Sequence, residues 1–229
     1  MNTILYLDIE TIPTQREDVR EYIAASVTHP GNIKKAETIA DWNENERPAA
    51  IDEAVGKTSF DGAFGQVVCV GFSASDEGQP KTVFGLNERS VLIGLNDSLD
   101  DILDHSDLFT TTIVGHNVSA FDLRFLVQRY MVNGIRPHPV IGRSAQAKPW
   151  EVDKVYDTMV QFAGVGNRIS LDKLCLALGL PGKGDITGAD VWPMVQAGKL
   201  QEVADYCADD VRKTRAVFQR MTFAEMETA

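Results

Sequence analysis

The stretch that decides the fold is Ile4-Leu5-Tyr6-Leu7-Asp8-Ile9-Glu10-Thr11, closed by Pro13. Residues 4–7 are aliphatic or aromatic and read as a short buried strand. Alternation along a strand puts Tyr6, Asp8 and Glu10 on one face and Leu5, Leu7 and Ile9 on the other. Pro13 has no N–H to give to a ladder, so the strand stops there. Two carboxylates thus stand together on one face at the end of an apolar strand. Such a pair is costly beside a core unless it is compensated, and like charges raise each other's pKa. A divalent cation is the simplest remedy, and hard oxygen donors point to Mg²⁺ or Mn²⁺ rather than zinc.

Working outward, residues 14–62 are polar and helical in pieces, with Pro48 placed to open a short helix at 49–56. This is long for a connection between strands and reads as an insertion over about 13–62, a partial lid on a site. Residues 66–72 form a second strand, Asp76-Glu77-Gly78 supplies turn chemistry, and 81–84 returns as a hairpin. Apolar positions in 88–104 follow helical spacing. A strand at 111–114 runs into Gly115-His116-Asn117, and a helix covers 119–132. Residues 136–154 read as loop and 155–160 as a short strand. Ser170 caps a helix that Gly179 ends. A last helix covers 200–221. These elements predict one α/β domain over 1–229, a mixed β-sheet flanked by helices.

Composition agrees. A chain of 229 residues with 44% hydrophobic and 24% charged residues is an ordinary globular protein. Its net charge of −11 excludes a uniformly basic wrapper of nucleic acid, but not an enzyme that meets phosphates through bound metal ions. Cys69, Cys175 and Cys207 are odd in number and widely spaced, which suits buried free thiols. The N-terminus lacks the pattern of a signal peptide, and no run is long enough to span a membrane. The expectation is a cytoplasmic protein.

Two further constellations matter. Asp122 stands in the first turns of the helix after Gly-His-Asn, where a helix dipole alone would accommodate it. Tyr206 and Asp210 lie at i and i+4, on one face of the last helix, beside the apolar positions Val203, Cys207, Val211 and Val217. Taken alone, these two suit a solvated face. Taken together, Asp8-Ile9-Glu10, Asn117 to Asp122, and Tyr206 to Asp210 resemble, in order and spacing, the three motifs of the DEDD 3′-to-5′ exonucleases. The tyrosine marks the tyrosine subclass, since the histidine subclass would need His where this chain has Asp205. The chain is similar above all to the predicted exonucleases related to the proofreading domain of family-B DNA polymerases. Leu-Asp-Ile-Glu-Thr, Gly-His-Asn, Asp157-Thr158-Met159 and Tyr-Cys-Ala-Asp-Asp-Val carry that likeness.

The resemblance implies a ribonuclease-H-like fold and a two-metal hydrolase that releases nucleoside 5′-monophosphates from the 3′ end of single-stranded nucleic acid, with DNA favoured over RNA. It implies that Asp8, Glu10, Asp122 and Asp210 hold two divalent cations, Mg²⁺ or Mn²⁺. Asp8 would bridge them, Glu10 and Asp210 would complete one site, and Asp122 would support the second. Tyr206 would orient the attacking water. Thr11, Asn117 and Phe121 are candidates for contact with the substrate strand. Lys183 is a candidate for a phosphate, although Leu-Pro-Gly-Lys-Gly-Asp is not a P-loop. Two alternatives stay open: an exoribonuclease trimming RNA ends, and a non-catalytic module that binds 3′ ends. Over residues 124–154, six basic residues against two acidic ones give +4 in an acidic chain, with His138 and Trp150 available for stacking. This segment reads either as the path of a strand or as a solvated loop.

Overall fold

The computed structural model describes residues 3–74, 78–103, 109–182, 184 and 186–224. Five strands form one mixed sheet: β1 (Ile4–Ile12), β2 (Gln66–Ser73), β3 (Lys81–Phe84), β4 (Thr112–Gly115) and β5 (Val155–Asp157). Their order is β3-β2-β1-β4-β5. β1 is central, antiparallel to β2 and parallel to β4, and β4 is parallel to β5. β1 runs further than its apolar residues suggest. It continues through Asp8 and Glu10 to Ile12, so both carboxylates lie inside the ladder rather than at its end.

The two faces of β1 separate as alternation requires. Leu5, Leu7 and Ile9 enter the larger core with Val67, Val70 and Phe72 of β2. That core is covered by α4 (Glu88–Ile102), α5 (Asp122–Val132) and α6 (Pro139–Ser144). On the other face, α9 (Val191–Gln196) and α10 (Leu200–Met221) pack through Val191, Val195, Val203 and Cys207. Opposite Glu10 and Thr11 the register slips: Cys69 faces Glu10 and Val67 faces Thr11, leaving Val68 without a counterpart. Val68 and Cys69 consequently both face the α10 side, as a bulge permits.

The insertion folds as α1 (Glu17–Ser26), α2 (Ala36–Asn45), α3 (Arg47–Gly56) and a 3₁₀ turn, Lys57–Phe60. Thr58 ties this segment to the end of β1, accepting from Thr14 N at 2.8 Å and donating to the Val55 carbonyl at 2.6 Å. Two expectations are corrected. The 136–154 loop contains α6, whose N-cap is His138, its Nδ1 accepting from Val140 N at 3.3 Å. The strand expected at 155–160 stops at Asp157, because that side chain caps α7 (Thr158–Ala163). A 3₁₀ turn, Gly188–Asp190, and α9 precede α10. By contrast, α8 (Leu171–Leu178) has Ser170 as its N-cap and ends at Gly179 with φ +67°, both as its residues direct. Asp76 and Glu77 of the hairpin turn lie outside the described residues. All three cysteines are buried and free. Among the described residues no helix is long and apolar enough to cross a membrane.

Candidate active site

The site begins where β4 ends. β4 pairs with β1 only at Ile4, Leu5 and Tyr6, which leaves the next stretch of that β1 edge without a strand partner. Asp122, the first residue of α5, fills the gap: its Oδ1 accepts from the Ile9 backbone N–H at 3.0 Å. Its position is therefore set by the peptide between Asp8 and Glu10. The turn that delivers it is held by Asp157. One Asp157 oxygen accepts from Asn117 N at 3.0 Å, the other from Ser119 N at 3.0 Å, and Oδ1 also accepts from Met159 N at 3.1 Å. Asn117 takes φ +62°, a conformation that asparagine tolerates better than most residues. The His116 ring is fixed by Thr158 Oγ1 at 3.0 Å and the Ile169 carbonyl at 2.9 Å.

Tyr206 and Asp210 come from α10. Gly71 is the register partner of Asp8, and a Cβ there would lie 2.9 Å from Cys207 Sγ. The absence of that side chain lets α10 lie close on the sheet. Cys207 then donates toward Asp8, with Sγ 3.4 Å from Oδ2. Asp210 lies beside the Tyr206 hydroxyl and accepts from Lys213 Nζ at 3.0 Å. Lys213 also lies 3.0 Å from Asp209 and 3.9 Å from Asp172.

A cleft of about 670 Å³ gathers Asp8, Glu10, Asn117, Phe121, Asp122, Tyr206 and Asp210. The four carboxylates are all pushed above the ordinary range. For Asp8 the cause is burial, then its neighbours Asp122, Glu10 and Asp210. For Glu10 it is burial, then Asp210. Burial raises Asp122 to about 7, and it raises Asp210 against the pull of Lys213. Burial and the adjoining carboxylates push the Tyr206 phenol far up, so it keeps its proton. Lys213 loses charge preference to burial, but its bonds to Asp210 and Asp209 outweigh that and hold it as the cation.

The donor set fits divalent cations. Asp8, Glu10 and Cys207 each offer a ligand atom within 4.8 Å of the others. Glu10 is only 8% exposed, and none of the hydrogen bonds among the described residues reaches its carboxylate. Carboxylate oxygens crowded this way favour hard ions, with the Cys207 thiol a softer donor behind them.

Other sequence candidates fall differently. The Thr11 hydroxyl donates to the Ser59 carbonyl at 2.7 Å and so ties β1 to the insertion. Phe121 packs on Phe125 at 5.5 Å between ring centroids, and faces Phe60 at 6.4 Å. Lys183 lies outside the described residues. Of the insertion, only Phe60 lines the carboxylate cleft, and it is 75% exposed. Half of the six basic residues in that segment are spent on structure. Arg129 makes a buried pair with Glu88 at 2.7 Å, Arg143 donates to the carbonyls of Phe109 and Thr111, and Lys154 pairs with Glu151. His138 is buried against Asp100 and is no stacking platform, whereas Trp150 is exposed. Sequence reading missed the roles of Phe60, Cys207 and Lys213. Lys213, one turn beyond Asp210, was the only one with a visible signal.

Residues 60–228, well over half of the chain, match the family described as "Predicted 3'-5' exonuclease related to the exonuclease domain of PolB". No curated protein matches the sequence as a relative. The fold is similar to that of the family B DNA polymerase from the hyperthermophilic archaeon Pyrobaculum calidifontis, with a TM-score of 0.58 and 17% identity. The match covers 97% of this chain and 25% of the polymerase, so the chain spans about a quarter of that protein's length. The mixed sheet between helices is the ribonuclease-H-like arrangement.

Proposed function

We propose, for a chain that belongs to the family of predicted 3′-5′ exonucleases related to the exonuclease domain of PolB, that the carboxylate cleft hydrolyses the last phosphodiester bond at the 3′ end of single-stranded DNA. One observation carries this: Asp8, Glu10, Asp122, Asp210 and Tyr206 meet in one cleft from β1, α5 and α10. In this reaction a water oxygen bonds to phosphorus, the bond to the 3′ oxygen of the penultimate nucleotide breaks, and a nucleoside 5′-monophosphate leaves. Two divalent ions, Mg²⁺ or Mn²⁺, held by the four carboxylates would neutralise the phosphate and make water more acidic.

The chain's own groups account for the rest. Asp122 is locked by Ile9 N–H and Asp210 by Lys213, so these carboxylates are placed before substrate arrives. Tyr206 retains its proton and serves as a hydrogen-bond donor and a positioning group for the water, not as a base. Asn117 and Phe121 line the cleft where the terminal nucleotide would lie. DNA is favoured on the likeness to a DNA polymerase's fold.

The test is release of mononucleotides from a 5′-labelled single-stranded oligonucleotide, with Mn²⁺ or Mg²⁺ and with chelator. Matched DNA and RNA strands are run side by side. Stepwise shortening from the 3′ end that requires the ion is expected. Asp8→Ala and Asp210→Ala variants that shorten the strand at the wild-type rate would refute the assignment.

A further inference from the structure

A second cleft, of about 600 Å³, opens beside the first. The two share Asn117, Met159 and Arg168 in their walls and are continuous there. Arg124 and Gln128 of α5 line one side of the second cleft, and Ala147 and Pro149, past the end of α6, close it. In a chain of net charge −11, no acidic residue lines it. The arginine ion pairs among the described residues belong to Arg16, Arg20, Arg129 and Arg212. Arg124 and Arg168 take part in none of them, and both are exposed.

We infer that this cleft seats the nucleotides on the 5′ side of the scissile bond, with Arg168 at the junction and Arg124 on a phosphate further along the strand. The occupant is a single-stranded polynucleotide. Its regularly spaced phosphates match cations spread along a continuous trough, and each neutralised phosphate releases counterions. The inference rests on the exonuclease reading and adds the strand's path to it. It also redraws the basic region: Arg129 and Arg143 are absorbed by structure, and Arg168, outside that region, joins Arg124.

Length of substrate separates the possibilities. A dinucleotide has a single phosphate, which lies at the carboxylates, so Arg124 has nothing to touch. Arg124→Ala is expected to cut a dinucleotide at the wild-type rate. On a dodecamer its KM should rise about ten-fold while kcat changes little, a loss of uniform binding. Its salt slope should fall by about 0.7, as for one lost contact to a single strand. Arg168→Ala should impair both substrates. Anisotropy of a labelled dodecamer in Ca²⁺ reads binding independently of cutting, and Arg124→Glu should weaken it further than Arg124→Ala. Wild-type chain that binds the dodecamer but cuts neither substrate would overturn the exonuclease reading alone. Arg124 variants that bind and cut the dodecamer like wild type would overturn the strand path alone.

Discussion

At the scale of the residue, the site is a set of charges placed where burial disfavours them. Asp122 shows the consequence most clearly, since burial raises it from 3.8 to about 7. A raised acid contributes its full stability below its unfolded value and loses it as pH climbs through the folded value. Protein stripped of divalent ions should therefore lose stability between about pH 4 and pH 7 on account of this group. Mn²⁺ should restore it, and its increment in melting temperature should be larger at pH 8 than at pH 5.5. Thermal scans with and without chelator measure this, and an increment that shrinks at pH 8 would count against the metal site. Tyr206 gives a second expectation. Tyr206→Phe removes the hydroxyl that lies beside Asp210 and would hold the water but keeps the ring, so kcat should fall about 10²-fold, within the span of positioned proton-handling groups. The melting temperature should barely move. A fall in stability as large as the fall in rate would instead make the hydroxyl a structural group.

Elements place these residues, and the tolerances are tight. α10 lies against β1 and β2 because Gly71 has no side chain. A Cβ at that position would meet Cys207 Sγ at 2.9 Å and Val211 Cγ2 at 3.1 Å. Gly71→Val should cost about 1–3 kcal/mol in urea unfolding, as overpacking does. It should also slow nucleotide release, because the displaced helix carries Tyr206 and Asp210. Gly56→Ala is the control, with open space around its Cβ and a helical backbone. A Gly71→Val variant as active as wild type would show that the helix position is not what sets the site. Legibility differed between elements for a physical reason. The long α10 and the strongly alternating β1 declare themselves by period. α6 and α7 are six residues each, too short for a period, and they exist because His138 and Asp157 cap them from outside the pattern.

The whole molecule is knit by few long-range polar links, and one deserves a test of its own. Arg129 and Glu88 form a buried pair that joins α5 to α4. The same guanidinium donates to the carbonyls of Gly62 and Ala63 at the end of the insertion. Glu88 accepts in turn from Val67 N at 2.8 Å, which anchors β2. Arg129→Ala strands a buried carboxylate and should cost about 3–5 kcal/mol. Replacing both residues by apolar ones of similar size should recover much of that loss. Denaturant titration of the single and double variants decides it, and an additive double loss would show that the pair does not act as a unit.

Sequence alone determined the mixed α/β plan, the strand bearing Asp8 and Glu10, and the helix face bearing Tyr206 and Asp210. Each follows from local periodicity and from residue type. Their convergence had no local cause and could be read only from resemblance. Only the tertiary structure decided that Asp122 would cap an open strand edge, that a bare Gly71 would admit α10, that Phe60 alone of the insertion would reach the cleft, and that Arg129 would be structural while Arg124 stayed free. Those outcomes depend on contacts between residues far apart in the chain, and no spacing along the chain encodes which side chain will meet which.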